Sequence, residues 1–239
     1  MANNYFKFKQ FIIYHDECGM KVCTDACIFG AWAAEKIKNE LSATQVVLDI
    51  GTGSGLLSLM LAQKSQAVIE AIEIDEGAFK QAGDNFKRSL WSERLHIFHA
   101  DAKYFSSERK YDFIISNPPF YENDLLSSTK NKNVARHDEG LKFDELILTI
   151  KKNLHTHGSF ALLLPYHRIN YFEDIAEKNH FFLKEKLLIK PTPAHDFFRG
   201  ILLFTQTKTS PLINELIIKN YEAYSEDLVC LMKDYYLNL

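Results

Sequence analysis

The chain has 239 residues, 46% of them hydrophobic and 25% charged, with a net charge of −3. That composition suits a soluble domain with one large core; no apolar run reaches membrane-spanning length, and no global basic field announces a nucleic-acid partner. A local basic rim on an otherwise slightly acidic surface would still suffice for RNA.

The N-terminal MANNYFKFKQ lacks the apolar core of a signal peptide, so a cytoplasmic location is expected. Residues 5 to 14, YFKFKQFIIY, alternate as a strand does, with Phe6, Phe8 and Gln10 on one side. His15 to Gly19 reads as a turn and Met20 to Thr24 as a returning strand. Cys18, Cys23 and Cys27 cluster there with His15, but their spacing matches no standard ligand set, so reduced thiols and no metal are expected. Asp25 reads as the cap of a helix whose Ile28, Phe29, Trp32, Ala33 and Ile37 recur at helical spacing.

The stretch VVLDIGTGSGLLSLMLAQ, residues 46 to 63, organises the rest of the chain. An apolar run ends in Asp49, then come Gly51, Gly53 and Gly55, then a helix with Leu56, Leu59, Met60 and Ala62 inward. Glycines at such a turn let the backbone bend sharply and approach a ligand closely. The next helix directs its N-terminal amides into the same space. A dinucleotide fingerprint would need glycine at position 56, which is Leu56. The spacing Asp-x-Gly-x-Gly-x-Gly is instead that of the first motif of class I S-adenosylmethionine-dependent methyltransferases.

Further strands are expected at Ala67 to Ile74, Leu95 to His99 and Tyr111 to Ser116, with a helix at Glu76 to Arg88. A polar stretch from Tyr121 to Gly140 is long enough to suggest a functional loop. A helix over Phe143 to Leu154, a strand over Phe160 to Leu164 and a helix over Ile169 to Asn179 come next. The strands Phe182 to Ile189 and Gly200 to Thr207 close the pattern, before a C-terminal helix capped by Ser225. Alternating strands and helices imply a Rossmann-like α/β domain with a mostly parallel sheet, one antiparallel strand near its edge and helices on both faces. No repeat or linker divides it, so residues 1–239 are expected to form one domain, with residues 1–40 a short N-terminal extension.

Glu73 lies 22 positions after Gly51 at a strand end, where a carboxylate can accept from ribose hydroxyls. Asp75 beside it suits a helix N-terminus. Asp101 ends the third strand and can accept from an adenine amine, with the Ala102 amide available to a ring nitrogen. Asn117-Pro118-Pro119-Phe120 is the most specific sequence in the chain. Its prolines fix an extended backbone. The Asn117 amide oxygen and the Pro118 carbonyl can then face one planar amine as acceptors, and Phe120 offers a flat face for stacking. Asn117, Pro118 and Phe120 are therefore the candidate catalytic residues. No general base is required by this scheme, and His137 reads as substrate-side or structural.

Together DIGTGSG, Glu73, Asp101 and NPPF resemble class I methyltransferases that modify planar exocyclic or amide nitrogens. GMKVCTDACIFGAWA and ISNPPFYEN followed by ARHDEGLKFDELI resemble, more narrowly, the bacterial tRNA1(Val) adenine-37 N(6)-methyltransferases. The likeness runs over nearly the whole chain and is weakest in its last third. It implies a seven-stranded sheet, S-adenosylmethionine as donor and a tRNA substrate. By position it puts Asp49, Gly51, Gly53 and Gly55 around the methionine moiety, Lys21 and Thr24 near the same end, and Asn117 with Phe120 on the target base. Phe120 stands where related enzymes often have tyrosine; stacking needs only the ring.

Lys130, Lys132 and Arg136 form a basic run beside NPPF, suited either to RNA phosphates or to a solvated loop. Two other readings compete. A protein-glutamine methyltransferase acting on a release factor, or an enzyme for a guanine amine, would share NPPF; the first usually carries a helical N-terminal domain, for which the 24 residues before Asp25 leave no room. A nucleotide-binding regulator would have no use for two aimed acceptors. A monomer is expected rather than an obligate oligomer.

Overall fold

The computed structural model describes residues 3–39, 45–118 and 141–239. Its centre is a run of parallel strands, apolar where helices cover both faces. They are β3 (Val46–Ile50), β4 (Val68–Glu73), β5 (Leu95–His99), β6 (Tyr111–Ser116) and β7 (Leu154–Pro165). Before them lie a hairpin of β1 (Tyr5–Lys7) and β2 (Ile12–Tyr14), and helix α1 (Thr24–Asn39). Helices α2 (Leu56–Lys64), α3 (Glu76–Lys87), α4 (Phe143–Asn153) and α5 (Ile169–Lys178) join the strands. The chain finishes with β8 (Phe182–Lys190), β9 (Arg199–Thr205), β10 (Leu212–Ile217), the small pair β11 (Lys219–Asn220) and β12 (Ala223–Tyr224), and α6 (Glu226–Met232).

Across the main sheet the order is β10-β8-β9-β7-β6-β3-β4-β5. Among the described residues of this sheet only β9 runs antiparallel to its neighbours, β7 and β8. The class expected from the sequence is therefore present, with one strand more than expected: β10 pairs in parallel outside β8. Side chains alternate between the faces. Val47, Ile69, Phe113 and Ile115 pack with α1, α2 and α6, whereas Leu48, Ile50, Ile72 and Ile114 pack with α4 and α5. Gly30 of α1 lets that helix lie against Met60 of α2, since a Cβ there would stand 2.5 Å from the Met60 sulfur.

Register places the strand ends level. Ile50 is opposite both Ile72 and Ser116, Glu73 is opposite His99, and Ser116 is opposite Leu162. The residues that leave β3, β4, β5 and β6 thus emerge at one edge, where open α/β sheets hold ligands.

The N-terminal hairpin differs from its expectation. It turns between Phe8 and Phe11, whose rings stack at 4.5 Å, so both strands lie within residues 5–14. Residues 20–23 form no strand. The cause is tertiary: Phe8 and Phe11 are both buried, Phe8 meets Tyr236, and the Lys9 amide donates to Tyr235 O at 2.8 Å. Alternation in the sequence cannot anticipate docking by the far end of the chain.

Asn85 on α3 anchors this hairpin. It is 1% exposed; its Oδ1 accepts from the Tyr14 amide at 3.1 Å, and its Nδ2 donates to Tyr14 O and Ser54 O, both at 2.8 Å. One side chain therefore ties the hairpin to the glycine turn. Asn85→Ala strands these backbone groups, and an unsatisfied buried group costs about 1–3 kcal/mol. Denaturant unfolding should show a loss of at least that size, and an unchanged midpoint would mean the hairpin is held elsewhere.

Candidate active site

The turn after β3 is built around a buried carboxylate. Asp49 is fully buried, and its Oδ2 accepts from Thr52 Oγ1 at 2.6 Å and Ser58 Oγ at 2.7 Å. Its Oδ1 has no hydrogen-bond partner among the described residues. Burial pushes the carboxyl up to about 6, against the two hydroxyl donors, which pull it down. The amides of Gly51 and Thr52 donate to Ile72 O, which pins the turn to β4.

Gly51, Gly53 and Gly55 all have positive φ, at 70°, 56° and 84°. A side chain at any of them would be strained. A Cβ on Gly51 or Gly53 would meet open space, so backbone conformation is the requirement there; at Gly55 it would also stand 2.5 Å from Phe86 Cε1.

Glu73 joins this turn to the next strand end. Its Oε2 accepts from the Gly53 amide at 2.8 Å, and its Oε1 from the Ile74 and Asp75 amides at 2.9 Å each. Three donors occupy most of the roughly four acceptor positions of a carboxylate. Asp75, as expected for a helix cap, accepts from the Ala78 amide at 2.8 Å. At the next strand end Asp101 Oδ1 accepts from the Lys103 amide at 2.9 Å, a local turn that holds the carboxylate beside Ala102.

A cavity of about 500 Å³ lies over these strand ends. Gly51, Gly53, Glu73, Asp101, Ala102, Asn117 and Pro118 line it, together with Lys21. Three residues assigned to the cofactor are not on its wall. Asp49 lies beneath it and acts through Thr52, Gly55 packs against Phe86, and the Thr24 side chain lies beside the Tyr236 hydroxyl. Pro119, Phe120, Lys130, Lys132, Arg136, His137 and the rest of the polar stretch from Tyr121 to Gly140 lie outside the described residues.

The roof is the segment from Cys18 to Val22, which lines the cavity without regular structure. It is held at one end by Asn85 on Tyr14. At the other, Arg199 Nε donates to Asp25 Oδ2 at 2.9 Å. Cys18 faces the acidic strand end; burial, then Glu73 and Asp75, push its thiol up to about 12, which keeps it neutral. The cysteines at 18, 23, 27 and 230 are free, and Cys27 is buried against the Tyr236 hydroxyl.

Asn117 closes the remaining side. Ser116 Oγ donates to Ile50 O at 2.8 Å, fixing the exit of β6 against that of β3. The Asn117 Nδ2 lies 3.9 Å from the Met20 sulfur, while its Oδ1 is buried with no partner among the described residues. A buried acceptor left unpaired is costly, and functional sites are where such groups persist. Met20 is not a candidate on sequence alone, where nothing distinguishes it from a strand residue; only the folded roof brings it to Asn117.

The fold and this strand-end site define a class I S-adenosylmethionine-dependent methyltransferase. Comparison with known proteins narrows this. The model of the methyltransferase small domain family matches residues 31–179. The chain is 38% identical, over the full length of both, to a tRNA1(Val) (adenine(37)-N6)-methyltransferase of Phocaeicola vulgatus. It is 39% identical to proteins of the same name from Dyadobacter fermentans, covering 98% of each chain, and from Pseudoalteromonas translucida, covering 98% and 99%. The chain belongs to the tRNA1(Val) (adenine(37)-N6)-methyltransferase family.

Among solved structures, a predicted O-methyltransferase from Agrobacterium tumefaciens superposes with a TM-score of 0.66 at 16% identity, covering 90% of this chain and all of that one. A ribosomal protein L11 methylase from Lactobacillus delbrueckii gives 0.53 at 15% identity, covering 75% and 77%. These likenesses bear on the fold alone.

The buried Asp49 makes a pH prediction. The unfolded chain loses this proton near pH 3.9 and the folded chain near 6. Between those values the folded state holds more protons, so stability falls as pH rises, and above 6 the whole penalty remains. Asp49→Asn keeps an acceptor for Thr52 and Ser58 without the charge. Its stability relative to wild type should rise from pH 4 to 6 by on the order of 2 kcal/mol and then level off. Parallel pH profiles for the two proteins would refute this.

Proposed function

We propose that this chain transfers a methyl group from S-adenosylmethionine to the exocyclic N6 amine of an adenine in tRNA, the adenine 37 of tRNA1(Val) that its relatives' name specifies. It does so as one methyltransferase domain, monomeric and cytoplasmic. No helix among the described residues is long and apolar enough to cross a membrane. The observation that carries the reading is the unpartnered Oδ1 of Asn117 at the cavity wall. It is an acceptor in want of a donor, and an exocyclic amine has two.

The residues present fit the donor molecule. The cavity is within the range of cofactor sites, and its acidic end offers Glu73 to a ribose hydroxyl. With three amides already on that carboxylate, one hydroxyl fits directly, and a second would compete with the Gly53 amide. Asp101 and Ala102 suit the adenine edge, and Lys21 lies on the wall for the methionine end. When bound, S-adenosylmethionine supplies an electrophilic methyl group on a sulfonium.

The work of the protein is positional. The target amine is a weak nucleophile because its lone pair is delocalised into the ring. Acceptance of its hydrogens by Asn117 Oδ1 and the Pro118 carbonyl favours a more tetrahedral nitrogen and aims the lone pair. Alignment of this kind supplies much of the rate enhancement, and the proton can leave to water afterwards. Phe120 would stack on the base, and Lys130, Lys132 and Arg136 would hold neighbouring phosphates; both assignments rest on the sequence.

Asn117→Ala should lower kcat by about a hundredfold or more, as loss of a preorganised polar contact does, with the Kd for S-adenosylmethionine nearly unchanged. Half of wild-type activity in this variant would end the aimed-acceptor scheme. Glu73→Gln should weaken cofactor binding about tenfold in calorimetry, since charge-assisted bonds are worth ~1.5–3 kcal/mol. Labelled cofactor offered with bulk tRNA, and separately with release factor, decides the substrate: label in the protein alone would overturn the reading.

A further inference from the structure

Next to the exit of β6, aromatic rings and cations alternate along the surface. β7 pairs with β6 so that Leu162 faces Ser116, and β7 ends at Pro165, just beyond the level of Asn117. Tyr166 and Arg168 come at once after it, and Tyr171 lies in the first turn of α5. The two tyrosines are 45% and 51% exposed. The Tyr166 ring sits 5.5 Å from that of Phe197 in the β8–β9 connection. The Arg168 guanidinium lies 5.2 Å from the Phe143 ring and 5.4 Å from the Tyr171 ring. Phe143 opens α4 two residues after Leu141, which lines the cavity, so the strip begins at the cavity rim.

Tyr166 and Tyr171 are not a core that spills outward. Core aromatics such as Phe160 and Phe172 are fully buried, whereas these tyrosines keep about half of their surface in water. Nor is the cation neutralised: Arg168 makes no ion pair among the described residues. A planar cation stacked between the half-buried Phe143 and the exposed Tyr171 is a chemistry that suits a planar, anionic chain.

We propose, resting on the RNA reading above, that Tyr166, Arg168 and Tyr171 form a seat for the unpaired nucleotides that flank the methylated adenine. A base must leave its stack to reach Asn117, and its unstacked neighbours then need substitute surfaces. Tyrosine rings accept any base by stacking, and the guanidinium can both stack and meet a phosphate. The seat therefore recognises a loop rather than a duplex, and contributes affinity rather than chemistry.

The test uses the full chain and a synthetic anticodon stem-loop RNA, with the same stem closed as a blunt duplex for comparison. Fluorescence anisotropy should show Tyr166→Ala and Tyr171→Ala each weakening stem-loop binding about tenfold, within the range for one lost base–aromatic stack. Tyr166→Phe and Tyr171→Phe should restore it, which separates stacking from misfolding. Arg168→Gln should weaken binding and reduce the salt slope by about 0.7, the value for one single-strand phosphate. Duplex binding and the Kd for S-adenosylmethionine should not move. Wild-type stem-loop affinity in the Tyr166→Ala/Tyr171→Ala double variant would overturn the seat while leaving tRNA methylation intact, and so would an equal loss on duplex. If the wild type methylates no RNA at all, the seat falls together with the reading beneath it.

Discussion

A buried carboxylate held by two hydroxyls sets the geometry of this site. Asp49 stands in the central strand β3 with both faces of the sheet covered, where ionisation is opposed by burial. Two hydroxyls, of Thr52 and Ser58, are its recompense. They fold the turn back over the strand end and draw in the first turn of α2. An apolar residue there would remove the desolvation penalty and the constraint with it. Three positive φ values in five residues are the result; the turn is tight because its acceptor is central and immobile.

Glu73 repeats the device one strand away. It takes the amide of Gly53 from the turn and two amides from the start of its own loop. A single carboxylate thus fixes the spacing of two strand ends, and α3 begins where Asp75 caps it. The parallel register brings β5 and β6 to the same level. Among the described residues the fourth wall is the segment between β2 and α1, clamped by Asn85 at one end and by the Asp25–Arg199 pair at the other. Arg199 opens β9, which runs antiparallel to its neighbours in the main sheet, so the departure from parallel order also serves the roof.

Much of this is legible in the sequence because strong local signals coincide with tertiary demands. The apolar runs of β3, β4 and β6, the glycine turn and the caps at Asp75 and Ser225 fall where expected. Where the reading differs, a long-range cause is visible. β10 has four consecutive exposed residues, since a strand at a sheet edge need not alternate, and its pattern gives no period to detect. The hairpin turns early because Tyr235 and Tyr236 dock on it from the other end of the chain. Thr24, like Gly55, satisfies a motif by position but spends its side of the backbone on packing.

The division of labour that results bears on selectivity. On the proposed scheme Asn117 can orient any planar primary amine, whether of adenine, guanine or glutamine, because its acceptor senses only the hydrogens. Discrimination among them has to come from surfaces that meet the rest of the substrate. In that scheme Met20 at the Asn117 amide would narrow one side of the approach, and the aromatic strip after β7 would extend the other. Both lie outside the motifs shared by methyltransferases of planar nitrogens. A common catalytic corner can therefore serve different substrates, with the choice made by a roof and a rim that owe little to the sheet beneath.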